Sequence, residues 1–270
     1  MLIVQSTRLD AFFNLGLEDY LLDEVERRGR ILFIYRNKDA VVIGKNQNPW
    51  RECDVPGIRS DGVTLARRSS GGGAVYHDEG NLNFSIMLPR VEYDLDAQFM
   101  TVLAALEGLG ISAERSGLNG LTAGGRKFSG NAFCLRRNVA LHHGTLLVKS
   151  DLGRLNRYLK PAITGVETKA IASVPAQVLN LSEIVPTLTI NVARVALIDQ
   201  FVDIYGDNGR ISDQQIDPTA IAPYEAKMRT WEWIFGHTPR FEVKLPGRRR
   251  VAVEHGKIVG TGKKFDVTSG

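Results

Sequence analysis

Apolar residues at Leu17, Leu21, Leu22 and Val25 recur at helical spacing and predict a helix over residues 17–25. Apolar runs at 31–35 and 40–43 are too short for helices and are bounded by polar residues, which predicts strands. The same reading gives further strands at 63–66, 74–76, 82–88 and 141–148, and helices at 97–109, 152–159 and 192–204. Strands often arrive in neighbouring pairs joined by Gly-rich turns. That pattern favours a mixed, largely antiparallel sheet with flanking helices, an α+β architecture, over a doubly wound fold. The polar stretch 205–217, with Gly206, Asp207, Asn208 and Gly209, reads as a connection without an element of its own. Beyond it, residues 223–270 carry Trp231 and Trp233 and short strand-like runs at 241–245, 250–254 and 257–259. This tail is too short to build a core easily, so it is expected to pack on the main domain or on a partner.

Composition narrows the class. With 270 residues, 43% of them hydrophobic, the chain suits one large core, or a main domain with a small appendage. No stretch approaches the ~20 apolar residues of a membrane span, and the N-terminal residues lack a signal-peptide pattern. Cys53 and Cys134 are unclustered, so reduced thiols and a cytoplasmic location are expected. The net charge of +4 and pI near 9.1 invite a nucleic-acid reading. The basic residues are scattered, however, and Arg248-Arg249-Arg250 is the only tight cluster, which argues against polynucleotide binding. An enzyme working on phosphates and on an acidic carrier protein accounts for the same balance.

Three stretches carry candidate chemistry. In Arg67-Arg68-Ser69-Ser70-Gly71-Gly72-Gly73-Ala74-Val75-Tyr76-His77-Asp78, the glycines let main-chain N–H groups approach phosphate oxygens, and Arg68 adds a forked cation. In Gly124-Gly125-Arg126-Lys127-Phe128-Ser129-Gly130, small neighbours on a strand aim Lys127 into a cleft, where it can meet a carboxylate and a phosphate together. In Leu141-His142-His143-Gly144-Thr145, adjacent strand residues face opposite sides, so at most one histidine looks into a site. No His-Glu-x-x-His or Cys-x-x-Cys spacing and no nucleophile-elbow serine occur, so no protein-held metal is predicted.

Together with Arg36-Asn37-Lys38-Asp39 through Gly44-Lys45-Asn46-Gln47, Val178-Leu179-Asn180-Leu181 and Trp231-Glu232-Trp233, these stretches resemble the lipoate-protein ligase A family of the biotin/lipoate ligase superfamily. The resemblance spans nearly the whole chain in family order. It implies a mixed sheet with flanking helices and a small C-terminal accessory domain: here residues 1–205 as catalytic domain, 206–222 as linker and 223–270 as a shortened accessory region. It implies formation of lipoyl-AMP from lipoate and ATP with Mg2+, then transfer to a lysine of the lipoyl domains of 2-oxoacid dehydrogenase E2 subunits, or of glycine-cleavage H protein. By motif, Arg68, Gly73, Ala74, Val75, Tyr76, His77 and Asp78 would bind the nucleotide. Ser70, Gly72, Gly73, Ser129, Gly130, His143 and Thr145 would bind lipoate. Lys127 would bridge both as the catalytic cation.

Leu118 and Gly120 stand where the family typically has a cation-bearing and a carboxylate-bearing position, and Pro175 and Gln177 replace two arginines. Together with the short tail, these departures bear most on adenylation. They leave open a lipoyltransferase that uses preformed lipoyl-AMP, a ligase needing a separate accessory subunit, or a non-catalytic lipoate-binding paralogue. A cysteine-dependent octanoyltransferase fits worse: Ala140 stands three residues before the His-Gly pair, no cysteine lies within 112–126, and Cys134 suits neither arrangement.

Overall fold

The computed structural model describes residues 1–206, 209–244 and 250–266. In chain order its strands and helices are β1 (Leu2–Gln5), α1 (Ala11–Arg28), β2 (Ile31–Tyr35), β3 (Ala40–Ile43), α2 (Pro49–Glu52), α3 (Val55–Ser60), β4 (Thr64–Arg67), β5 (Val75–His77), β6 (Asn81–Pro89) and α4 (Leu95–Glu107). There follow β7 (Glu114–Ser116), β8 (Gly120–Ala123), β9 (Arg126–Leu135), β10 (Val139–Leu147), α5 (Leu152–Tyr158), β11 (Val166–Thr168) and α6 (Ile190–Tyr205). The chain closes with β12 (Arg210–Ser212), α7 (Pro218–Arg229), β13 (Phe241–Lys244), β14 (Arg250–Glu254) and β15 (Lys257–Ile258).

The main sheet has eight strands in the order β12-β1-β2-β6-β10-β9-β8-β7. Its first three strands run parallel and the rest pair antiparallel, so the expected mixed α+β architecture is what forms. Strand β10 is buried along its whole length because helices cover both faces of the sheet. Phe99, Val102 and Leu106 of α4, with Leu197 and Phe201 of α6, fill one side. Phe13, Leu17, Leu21 and Val25 of α1 fill the other, and α7 packs behind α1.

A three-stranded sheet, β4-β3-β5, stands beside the main one and carries the arginine-glycine stretch between β4 and β5. A third sheet, β11-β13-β14-β15, pairs the tail with residues 166–168 of the preceding chain. Trp50 seals that junction, its ring lying 5.3, 5.3 and 5.1 Å from those of Phe235, Phe241 and Phe265. The tail thus packs on the main body. Leu245 of the run 241–245, and Arg248-Arg249 of the basic cluster, lie outside the described residues.

Several elements lie outside the pattern-based expectation, β1, α2, α3, β7, β8 and β11 among them, and two in the C-terminal part change its organisation. The stretch 205–217 is not a bare connection: within it β12 adds a parallel edge strand to β1, with Ile3 opposite Arg210, although Asp207 and Asn208 lie outside the described residues. Helix α7 follows at once, capped by Asp217 with Pro218 in its first turn. The Arg-Ile-Ser strand is too short to show alternation, and Pro223 inside α7 masked its helical period. Among the described residues, no helix is long and apolar enough to cross a membrane.

Candidate active site

Where the small sheet meets strands β9 and β10, the structure holds a cleft with two lobes. The inner lobe, about 300 Å³, is lined by Leu15, Tyr35, Val42, Asn83, His77 and His143 among others. The outer lobe, about 260 Å³, includes Tyr76, Phe128, Ser129, Leu155, Asn156 and Val178. The inner volume sits at the lower limit of the range of small-molecule sites, about 300–1,000 Å³, and the outer one just below it. Ala74, Val75, Lys127, Gly130, Thr145, Ser173 and Val174 line both lobes and form the waist between them.

Lys127 lies near the start of β9 and stands at that waist half-buried. Its backbone is fixed on one side by the bond from its N–H to the Gln177 carbonyl, 2.8 Å, and by Leu179 N–H to its own carbonyl, 3.0 Å. Among the described residues no carboxylate lies within ion-pair distance of its ammonium, and burial pulls its pKa below the usual lysine value. A partly desolvated, unpaired cation attracts an anion strongly, because a bound anion supplies the counter-charge that the protein withholds.

The arginine-glycine stretch behaves differently from a free phosphate clamp. Arg68 is buried, with Nε donating to Ser70 Oγ at 3.0 Å, Nη1 to the Val42 carbonyl at 3.2 Å, and Nη2 to the Gly71 and Gly73 carbonyls at 2.5 and 2.8 Å. Burial lowers its pKa to about 10, still charged at neutral pH. Its guanidinium therefore holds the glycine turn in shape from behind. Gly72 adopts φ +86°, and a Cβ there would lie 2.8 Å from Arg68 Nη2, so the turn requires glycine twice over. Gly72, Gly73, Ala74 and Val75 consequently present backbone to the cleft.

Behind the inner lobe runs a buried polar chain. His143 Nδ1 lies 2.9 Å from Glu18 Oε1, and His143 Nε2 lies 2.6 Å from Ser70 Oγ. Ser85 Oγ donates to the same Glu18 oxygen at 2.5 Å. Burial alone would raise the Glu18 pKa, but His143, Ser85 and Arg68 together hold it below its ordinary value. Sequence reading missed Glu18 because an acidic residue in an amphipathic helix reads as solvated. Here α1 is covered on two sides, by the sheet and by α7, and no alternation signal betrays that.

Of the histidine pair, His143 faces the cleft, while His142 packs on the opposite side of the sheet against Phe84, Phe99 and Phe133. Ser129 and Tyr76 line the outer lobe, and Thr145 stands at the waist, accepting the Gly130 N–H at 3.1 Å. Two expected residues stand elsewhere. Ser70 sits behind the wall in the polar chain just described. Asp78 lies outside both linings, its carboxylate accepting from the N–H groups of Gly80, 2.9 Å, and Asp151, 2.7 Å.

A strap over residues 169–177 crosses the mouth of the cleft. Ser173 pins it: its N–H donates to Glu52 Oε2 at 2.8 Å, and its Oγ accepts from Ala74 N–H at 2.9 Å and from Gln47 Nε2 at 3.0 Å. Ile171, Val174 and Leu118 stand exposed along its rim. Glu52 is the only carboxylate among the residues lining the two lobes, and it is occupied by Ser173 and Arg51. No group of three or more metal-ligating side chains occurs among the described residues. These walls do not fit a protein-held Mg2+.

Neither cysteine lines the cleft: Cys53 is buried, with its pKa pushed up by that burial, and Cys134 is half-buried on β9.

The lipoyl protein ligase A/B catalytic domain matches residues 10–202. Solved structures agree. LipL1 of P. falciparum in complex with lipoate is 31% identical, with 96% of this chain and 82% of that one covered and a TM-score of 0.78. The bi-partite lipoate protein ligase of Thermoplasma acidophilum, solved in a study of its lipoylation system with an E2 lipoyl domain, is 27% identical over 86% of this chain and 94% of that one, TM-score 0.71. A lipoate-protein ligase A bound with ATP is 28% identical over 86% and 96%, TM-score 0.71.

Proposed function

Because the chain belongs to the lipoate-protein ligase family, we propose that it activates lipoate with ATP to lipoyl-AMP and transfers the lipoyl group to a lysine of a carrier lipoyl domain. The observation that carries this reading is the unpaired, half-buried Lys127 at the waist of a two-lobed cleft. An acyl chain fits the inner lobe and a nucleotide the outer one, which brings carboxylate and α-phosphate together at Lys127. In the first step a carboxylate oxygen attacks the α-phosphorus and pyrophosphate leaves. In the second, the carrier's lysine amine attacks the acyl carbon and AMP leaves. Lys127 and the backbone N–H of Gly73 stabilise the charge that builds on phosphate and acyl oxygens. The related structures solved with lipoate and with ATP support the two substrates.

On this reading residues 1–205 form the catalytic domain and 223–270 a shortened accessory region. The carrier is an E2 lipoyl domain or glycine-cleavage H protein. A second reading, transfer from preformed lipoyl-AMP alone or with a separate accessory subunit, is favoured by one observation. Leu118, 83% exposed at the cleft rim, offers no charge to a triphosphate.

The test is to incubate the chain with an apo lipoyl domain and follow the domain's mass, supplying lipoate and Mg-ATP or synthetic lipoyl-AMP. Modification under both conditions is expected. Modification from lipoyl-AMP alone establishes the second reading, and modification from neither refutes both.

A further inference from the structure

One residue in the wall of the inner lobe carries a buried polar atom with no protein partner: Nε2 of His77, a residue 3% exposed. The tautomer of this ring is decided outside the cleft. The amide nitrogen of Asn14 lies 3.0 and 2.9 Å from the carbonyl oxygens of Arg8 and Arg36, so it must be the NH2 that faces them. The same nitrogen lies 2.8 Å from the Asn37 amide; its two hydrogens are shared among three neighbours, and since a second NH2 at that distance would set donor against donor, it is Asn37 Oδ1 that faces it. The other end of the Asn37 amide, its NH2, is then the group 3.0 Å from His77 Nδ1. Nδ1 holds a lone pair, and the proton sits on Nε2. Burial first, and then Arg68 and His143, lower the ring's pKa to about 3, so it stays neutral. The cleft thus meets a fixed N–H donor that neither ionises nor turns into an acceptor.

His77 lines the inner lobe together with Tyr35, Asn83 and His143 and is absent from the outer lobe, whereas Lys127 marks the waist. On the lipoate-ligase reading, on which this inference rests, the carboxylate lies at Lys127 and the far end of the acyl chain reaches the part of the lobe that His77 borders. We propose that His77 Nε2–H is a specificity-determining donor that favours an acyl chain ending in sulfur acceptors over an all-carbon chain of equal length. The dithiolane of lipoate gives this donor a soft acceptor. An octanoyl end gives it none and leaves the buried donor unsatisfied, so the preference is the worth of the bond that lipoate alone can make.

The experiment compares kcat/KM for lipoate and octanoate in wild type, His77→Leu and His77→Gln, with titration calorimetry of both acids. In wild type the lipoate preference is expected at about tenfold, falling to near unity in His77→Leu and returning in His77→Gln, which keeps an N–H donor. Long-range 15N NMR of the wild-type histidines is expected to show Nε2 protonated and Nδ1 bare. Should His77→Leu fail to fold, Asn37→Asp serves: its carboxylate accepts only, so the neutral ring's proton moves from Nε2 to Nδ1, Nε2 becomes an acceptor, and the preference is expected to be lost. An unchanged ratio in His77→Leu, no preference in wild type, or a proton on Nδ1 overturns the proposal. Calorimetric preference for lipoate in a chain that acylates nothing sinks the ligase reading and leaves this inference standing.

Discussion

Arg67 is fully buried and faces away from the cleft, yet it ties the tail to the loop that secures the strap. Its Nε and Nη2 donate to the Ile234 carbonyl at 2.9 and 2.6 Å, and Nη2 also to Thr238 Oγ1 at 2.9 Å. Nη1 donates to the carbonyls of Gly44, Lys45 and Gln47 at 3.1, 2.8 and 2.8 Å. Arg67→Met keeps most of the stem's packing and strands the carbonyl oxygens of Ile234, Lys45 and Gln47 and a hydroxyl, while the Gly44 carbonyl keeps the Gln47 N–H. An unsatisfied buried acceptor costs about 1–3 kcal/mol. Lys45 is exposed and its carbonyl can recover water, so the net loss is expected at about 4 kcal/mol, a large share of the roughly 5–15 kcal/mol of a typical domain. Arg67→Lys keeps the charge but not the fork, and should recover less than half. Urea unfolding followed by tryptophan fluorescence and by far-UV dichroism gives the loss, and limited proteolysis around residues 230–240 reports release of the tail. Because Gln47 holds Ser173, lipoate binding should weaken in parallel. A loss under about 1 kcal/mol, with the tail as protected as in wild type, would refute the reasoning.

Lys127→Ala should cut pyrophosphate release from lipoate and ATP by at least about 100-fold, with Lys127→Arg intermediate, and a loss under about tenfold would remove the residue from the chemistry. Gly144→Ala would put a Cβ 2.4 Å from Asn131 Oδ1 and 2.6 Å from the Phe84 ring. A loss of about 2–3 kcal/mol in thermal or urea unfolding is expected, and a neutral variant would show that this wall of the cleft yields. Stability should also fall in mild acid. His77 and His142 have folded pKa values lowered by burial to about 3, against 6.5 when free, so below pH 6.5 the unfolded chain binds more protons. Each contribution is complete above pH 6.5 and is lost as pH falls towards 3, about 2 kcal/mol apiece between pH 8 and pH 5. Glu18, with a pKa below its ordinary 4.5, stays ionised in the folded chain over that interval and adds only about 0.2 kcal/mol to the change. Equal unfolding free energies at pH 8 and pH 5 would contradict the buried, neutral placement of both rings.

Local pattern was enough for most of the secondary structure. The runs at 31–35 and 40–43 coincide with β2 and β3, and the ends of β6 and β10 fall within a residue or two of those expected, because period and turn chemistry are local properties. Pattern also pointed to Lys127, to the glycine turn and to a single inward-facing histidine, since small residues around a charge and strand alternation need no tertiary knowledge. The edge strand β12 lay beyond that reach: three residues gain their identity only from pairing with β1, some two hundred positions away in sequence.

The roles of the polar side chains were likewise settled only in three dimensions. Arg68 and Asp78 look alike in sequence, as charges beside a glycine run. Folding turns the first inward onto the turn's own carbonyls and gives the second to the backbone of Gly80 and Asp151. Glu18 becomes buried because α1 turns it onto the sheet, against Ser85 and His143, and His77 acquires a fixed proton because Asn14 orients the Asn37 amide that meets it. Sequence determines which donors and acceptors exist and where the chain turns. Which of them are consumed by the fold and which face the cleft depends on partners distant in the chain, and that only the tertiary structure decides.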